Sequence, residues 1–491
     1  MEAVDRSQTE RKGWRGGHGR WSAPRLVSLG CALAAGFAMR AWMLGQFYQA
    51  NGDTFLYGDI ALNLLRHGVY GVVQGGGPPH STLMRLPGYP LFLAACFSFF
   101  GMQNYVAVAW VQIVMDLAAC LLLAGCARRI APDAMKEAAW HGTLWLAALC
   151  PFTAIYAGTP LTEGPTVFLL ALALWAAAVF VQRPGWCAAL IFTAAVTAAA
   201  LLRPDGALAA VALAPVLLVA LSKSARPHRR RMAAACVLLA LAPFAVWTWR
   251  NWRVFHVVQP LAPQSAADPG EPLTPGWSLW VRTWALDFDS TYSVYWNAPG
   301  APLNLEYVPP RAFRSPAERA DAEMLFREYN ANGYRITPWL DAGFAGLARK
   351  RIADAPMRYY VWLPLGRVAD MWLRPRVENL PIDLDWWVYE NHPEETVISW
   401  SFLALNALYL ALAIAGLAIA GLAIVVQAVR LRPQFRALAW AMLAYMLLRS
   451  AALAVTVVSP EARYTIECFP MLFVLGGVAI ARGWVRVRAR V

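Results

Sequence analysis

The chain has 491 residues, 59% of them hydrophobic and only 15% charged, with a formal net charge of +13. A soluble globular domain carries about 25% charged residues, so this composition excludes one and points to a polytopic membrane protein. The positive surplus does not indicate a nucleic-acid partner, because the basic residues gather in short clusters between apolar runs, as in cytoplasmic loops that follow the positive-inside rule.

Those clusters are 6–25, Arg128-Arg129, 223–231, 430–436 and 482–490. The basic segment 1–25 has no convincing cleavage site, so the first apolar run reads as a retained span rather than a signal peptide. A spanning helix needs about 20 mostly apolar residues. Spans are expected near 26–46, 104–127, 139–157, 163–182, 186–202, 206–221 and 232–249, then near 399–428, 437–458 and 466–481. The run 91–100 is too short to cross. Left as an interfacial or re-entrant segment, it puts every basic cluster in the cytoplasm.

The expectation is an all-α polytopic protein of the cytoplasmic (inner) membrane with about ten transmembrane helices. Its parts are a basic tail 1–25, an N-terminal transmembrane module 26–249 with a first outer loop 47–103, an extracytoplasmic mainly helical domain 250–398, C-terminal helices 399–482 and a basic tail 483–491. By parity, 51–90, 159–163, Arg203-Pro204-Asp205, the interval after Trp249 and 459–464 all face outward.

The polar island 51–90 is the densest of these. On a helix, Asp53, Tyr57, Ala61 and Leu64 share a face and Asp59 points away from it. The glycines Gly75-Gly76-Gly77 lack the strand–helix context and the Lys of a nucleotide loop. Arg85 and the stiff turn Pro87-Gly88-Tyr89-Pro90 follow. In the interval 250–398, stretches 316–330 and 341–351 have helical spacing, and the aromatic-rich 277–296 is expected at the membrane interface, where Trp and Tyr settle.

Asp53 beside Tyr57 offers a general base for a hydroxyl or amine acceptor; the plainer alternative is a helix N-cap. Arg85, Arg203, Arg250 and Arg463 sit at outward ends of spans, against the usual bias. Each suits a phosphate head group or, alternatively, a local ion pair, with Asp205 beside Arg203 and Glu461 beside Arg463. Glu163 either helps hold an acceptor or a cation, or favours the positive end of its helix. Asp116, one turn after Gln112, reads as a structural helix–helix hydrogen bond. His67 and His80 read as surface residues, and the eight cysteines as small apolar ones with neither disulfide nor metal-ligand spacing.

The run Asp53-x3-Tyr57-x3-Ala61-x2-Leu64, then Gly68-x-Tyr70, then Arg85-Leu86-Pro87-Gly88-Tyr89-Pro90 resembles the first outer loop of the GT-C glycosyltransferases. Within them it is most similar to glycosyltransferase family 39 and its bacterial relatives, the protein O-mannosyltransferase and lipid A aminoarabinose transferase group. Pro160-Leu161-Thr162-Glu163, Leu202-Arg203-Pro204, Trp249-Arg250-Asn251 and Ala462-Arg463-Tyr464 with Pro470 resemble later signatures of that family. One departure is Thr54, where many relatives carry Glu after the first Asp; it puts any metal role of that second acid in doubt.

The resemblance implies transfer of a sugar from a polyprenyl-phosphate donor in the membrane lipid to an extracytoplasmic acceptor, with inversion. Asp53 is the implied base, and Tyr57, Arg85, Tyr89, Glu163, Arg203, Arg250, Arg463 and Tyr464 are the implied substrate contacts. No cofactor is fixed by the sequence; a divalent cation is left open. Two other readings remain, a transporter or lipid flippase and a non-catalytic lipid-binding subunit.

Overall fold

A computed structural model describes residues 23–50, 52–73, 76–223, 225–263, 267–271, 273–425 and 433–488. The basic stretches 6–22 and 430–432, Arg490 and Gly75 lie outside the described residues. The chain is almost wholly helical. Its first part runs α1 (Ala23–Phe47), α2 (Asp53–His67), α3 (Gly88–Phe100), α4 (Tyr105–Ile130), α5 (Lys136–Ala148), α6 (Pro151–Gly158), α7 (Glu163–Gln182), α8 (Trp186–Leu202), α9 (Leu208–Ser222) and α10 (Arg226–Phe255). Five shorter helices follow, α11 (Pro275–Arg282), α12 (Phe288–Tyr295), α13 (Pro316–Ala331), α14 (Pro338–Asp354) and α15 (Leu363–Leu373). The chain closes with α16 (Pro393–Val425), α17 (Pro433–Thr456) and α18 (Phe469–Arg488). A two-stranded antiparallel pair, β1 (Gly71–Val72) and β2 (His80–Ser81), is the one sheet among the described residues.

Among the described residues eight helices are long and apolar enough to cross a membrane, α9 being counted with the helical turn Pro204–Ala207 that leads into it. The run expected as one span at 139–157 is instead two helices, α5 and α6, bent by 51°. Pro151 opens α6, as befits a residue without an N–H to give. Counted as one, the pair is a ninth span. α8, with 17 residues, falls just short, and α3, with 13, is the run that was expected not to cross.

The largest core lies among α4, α5, α7, α8, α9, α17 and α18, with Leu123, Leu144, Leu174, Phe473 and Leu475 at its centre. Small residues let the backbones close up. A Cβ on Gly477 would stand 1.9 Å from Oγ1 of Thr143, so α18 lies against α5 nearly backbone to backbone. Arg40 and Asp116 are buried in this bundle and pair at 2.6 Å. Arg40 also donates to the carbonyls of Gly36 and Ala148. That pair ties α1, α4 and α5 together, which is the structural role expected for Asp116.

Between α10 and α16 a second core gathers around Trp277, Trp280 and Trp284, packed on Phe326 and Phe344. This corrects the expectation that 277–296 lies at the interface. These three tryptophans are fully buried, the first two on α11 and Trp284 in the turn that ends it, and only Tyr292 and Trp296 of that stretch are well exposed. Asp341 of α14 accepts the N–H groups of Gly276 and Trp277, satisfying the otherwise open first turn of α11. Ser315 and Thr337 cap α13 and α14 in the same way.

Candidate active site

The site is assembled by the loop that surrounds α2. Gly52 precedes the helix with φ +36°, a conformation glycine adopts without strain, and Asp53 is the first helical residue. Gly52 holds the N-cap position, one residue before Asp53. The Asp53 carboxylate instead accepts from Nη2 of Arg85 at 2.8 Å, so the N-cap alternative does not hold. Asp59, on the far side as expected, takes the N–H of Val73 at 2.7 Å and secures the start of the β1–β2 hairpin. His67 and His80 are exposed.

Arg85 is fixed by its surroundings. The Tyr70 hydroxyl lies 3.1 Å from the carbonyls of both Arg85 and Leu86. Gly88 presses on the end of α8, where a Cβ would come 2.6 Å from the Leu201 backbone. That close approach brings the Arg85 loop beside Arg203, the residue that ends α8. Tyr57 carries the Arg85 guanidinium over its ring at 5.6 Å and meets the Tyr89 ring edge-on at 5.1 Å. Tyr89 itself is fully buried and donates to Gln112 at 3.0 Å, which in turn holds the Thr159 carbonyl. It supports Tyr57 from beneath rather than facing the open side.

The other end of the chain completes the cluster. Nη1 of Arg463 lies 4.0 Å from the second oxygen of Asp53, while its Nε pairs with Glu461 at 2.5 Å. Arg203 sits between Glu163 at 3.0 Å, Glu467 at 3.1 Å and Asp205 at 3.5 Å. Arg449 links Asp205 at 3.0 Å with Glu467 at 2.8 Å. Tyr464 lies under both Arg203 and Arg463, at 5.6 and 5.3 Å from its ring centre.

The cluster has an open side and a closed floor. The side chains of Asp53, Arg85 and Arg463 are 39%, 22% and 23% exposed, whereas Glu163 is 2% exposed and Glu467 and Arg449 are at zero. Burial pushes the Tyr57 hydroxyl up, with Arg85 opposing. Burial likewise pushes the Glu461 carboxyl up against the pull of Arg463, and the nearby Glu163 and Glu378 carboxylates add to the rise. For Arg203 burial works against the charge, but Asp205, Glu467 and Glu163 outweigh it and keep the guanidinium firmly protonated.

Of the residues the resemblance implies, Asp53, Tyr57, Arg85, Glu163, Arg203, Arg463 and Tyr464 come together in this cluster, and Tyr89 lies beneath Tyr57. Arg250 is elsewhere. It donates to the carbonyls of Tyr70 and Thr82, each at 2.8 Å, and packs over the rings of Tyr70, Trp247 and Phe255. It braces the loop that carries Arg85 instead of facing the cluster. Glu467 was missed, although an acid at the start of an apolar run is a signal in its own right.

Among the described residues, the group whose ligand atoms converge as a metal site requires is Asp383, Asp385 and His392, within 4.8 Å of one another. The two ring nitrogens of His392 face different carboxylates, Asp385 at 3.3 Å and Asp383 at 3.5 Å, and both acids are mostly exposed.

Residues 80–249 match the family model of dolichyl-phosphate-mannose-protein mannosyltransferases. The match, over about a third of the chain, covers Arg85, Glu163 and Arg203 and agrees, for that segment, with the resemblance read from the sequence. Asp53 and Tyr57 precede it and Arg463 follows it. No curated protein matches the chain. Among solved structures, the chain is similar to the Archaeoglobus fulgidus oligosaccharyltransferase tethered to an acceptor peptide, with 14% identity over 95% of this chain and 50% of that one, at a TM-score of 0.46. The same enzyme in complex with zinc and sulfate gives 12% identity over 94% and 51%, at 0.43. ArnT from Cupriavidus metallidurans bound to undecaprenyl phosphate gives 16% identity over 94% and 77%, at 0.34. The chain thus spans about half the length of the archaeal enzyme, and at these scores the likeness assigns no residue.

Proposed function

With residues 80–249 of this family type and the site built as above, we propose that the chain is a membrane glycosyltransferase. It transfers a sugar from a polyprenyl-phosphate donor to an acceptor on the extracytoplasmic face of the cytoplasmic membrane. The observation that carries the reading is the meeting of Arg85 and Arg463, from opposite ends of the chain, on the carboxylate of Asp53 at the open side of the cluster.

A phosphate is already a good leaving group, so the reaction needs cations at the departing oxygen more than an acid. Arg85 uses one of its five N–H donors on Asp53, and its buried Nε has no hydrogen-bond acceptor. Arg85 and Arg463 are therefore the guanidiniums free to take phosphate oxygens, for which their planar geometry is suited. Arrival of the phosphate draws them from Asp53 and releases its carboxylate. The acceptor hydroxyl or amine attacks the anomeric carbon and its proton passes to Asp53. The bond from that carbon to the phosphate oxygen breaks, and the electron pair leaves on polyprenyl phosphate. One displacement with one base inverts the anomeric centre.

Arg203 has a different task. Held by three carboxylates, it is a positioning residue that fixes Glu163 and the Tyr464 ring beneath the reacting groups. The test is purified protein in lipid nanodiscs, given a panel of hexosyl and pentosyl polyprenyl phosphates and assayed for release of polyprenyl phosphate. Turnover of one sugar class over the others is expected. Movement of the intact lipid between leaflets without cleavage would replace this reading with a flippase.

A further inference from the structure

The segment 356–373, a π-helical turn at Arg358–Trp362 running into α15, has its polarity reversed. All of its exposed residues are apolar or aromatic, with Tyr360, Trp362 and Leu365 at 66%, 65% and 55% and Met357 and Leu373 similar. Its charged side chains turn the other way. Arg367 is fully buried and donates to the carbonyls of Ala285 and Arg282, and Arg358 donates to that of Arg311. A helix facing water carries the opposite pattern.

The position of α15 says what covers this face. Nε1 of Trp372 is 2.9 Å from Oγ of Ser450 on α17. The Met371 carbonyl accepts from Arg376 and from Thr465 in the turn before α18. Ser450 lies six residues inside the end of α17 at Thr456, about 9 Å along the axis at 1.5 Å per residue. That is the depth, about 5–10 Å, to which an interfacial helix sinks its apolar face. Val455 at the end of α17 and Val397 and Trp400 on the first turns of α16 are likewise exposed and apolar.

We infer that 356–373 is a membrane-surface helix whose apolar face, led by Tyr360, Trp362 and Leu365, is embedded in the lipid leaflet on the side where α11–α15 sit. The occupant of the face is lipid, with the two aromatic rings at head-group level, where Tyr and Trp concentrate. The Trp277 core of α11–α14 is thereby held at the membrane by a helix of its own as well as by Arg282 of α11, which donates to the Val455 carbonyl of α17.

The test uses the full chain in phospholipid nanodiscs with a photoreactive benzoylphenylalanine replacing, one at a time, Trp362, Leu365 and Arg327. Arg327 on α13 is a solvent-facing control with its side chain 76% exposed. Irradiation should give phospholipid adducts at 362 and 365 in at least about tenfold greater yield than at 327, as expected of a face sunk among acyl chains. Equal yields at all three positions, or crosslinks from 362 and 365 to a second copy of the chain, would overturn the inference. Tyr360→benzoylphenylalanine, the mildest change in shape, gives the same readout should the other two fail to fold.

Discussion

Replacing Glu467 by Gln removes one charge at the point where the floor of the cluster depends on it, with almost no change of volume. The carboxylate is fully buried and shared between Arg449 at 2.8 Å and Arg203 at 3.1 Å. At an effective dielectric of about 20, each contact is worth roughly 5 kcal/mol of gross attraction. Most of that only offsets desolvation of the three charges. The net loss on breaking a buried pair is about 3–5 kcal/mol, because a guanidinium is left in the interior with too few partners. Arg449 keeps Asp205 and Arg203 keeps Glu163, which argues for the lower end, about 3 kcal/mol. Thermal unfolding of the detergent-purified protein, at one fixed scan rate, should show a midpoint several degrees below wild type. Adding Arg449→Gln should then destabilise by less than the sum of the two single changes, with a coupling of about 0.5–3 kcal/mol. A Glu467→Gln midpoint equal to wild type, or strict additivity with Arg449→Gln, would refute the reasoning.

Arg250→Ala should leave the spans intact but free the loop, since it deletes two bonds to the Tyr70 and Thr82 carbonyls. Amide hydrogen exchange at 68–73 and 80–85 should rise while the global thermal midpoint moves little, and unchanged exchange there would count against the bracing role. Asp370 gives a pH dependence. Burial pushes its carboxyl up to about 7, with Arg374 opposing, so the folded chain holds a proton that the unfolded chain has already lost. Stability should therefore fall as pH rises from about 4 to 7 and level off above, by at most roughly 4 kcal/mol for a shift of about three pH units. Asp370→Asn should flatten that slope, read from thermal midpoints between pH 5 and 8.

The apolar runs made most of the bundle legible, because a span has to satisfy its backbone internally and announces itself by length. The break at Leu149-Cys150 was not read, although Pro151 stood where a new helix begins. The tryptophans of α11 and of the turn after it were misplaced for a chemical reason. Trp is at home both at a lipid interface and in a core, and composition cannot separate the two. The i, i+3, i+7 spacing of Trp277, Trp280 and Trp284 does, since it lets all three turn toward one core. The interfacial face lies instead on 356–373, where an arginine at 367 makes the segment look ordinary until its side chain is found turned inward. In the site, residues joined by charge were legible because an acid or an outward arginine at a span end is unusual. Arg250 shared that signal, but its partners are backbone carbonyls 168 and 180 residues away, and carbonyls leave no mark in a sequence.

Asp53 stands in the proposed reaction as the base of a sugar transfer from a lipid phosphate. The measurement that tests it most directly is the single-turnover transfer rate of Asp53→Asn on saturating polyprenyl-phosphate sugar and acceptor, beside wild type. Asn keeps the size of the side chain and a hydrogen-bond acceptor for Arg85 but has no carboxylate to take the proton. A rate lower by about 10²–10⁴-fold with donor binding retained is expected; transfer at the wild-type rate would rule Asp53 out as the base.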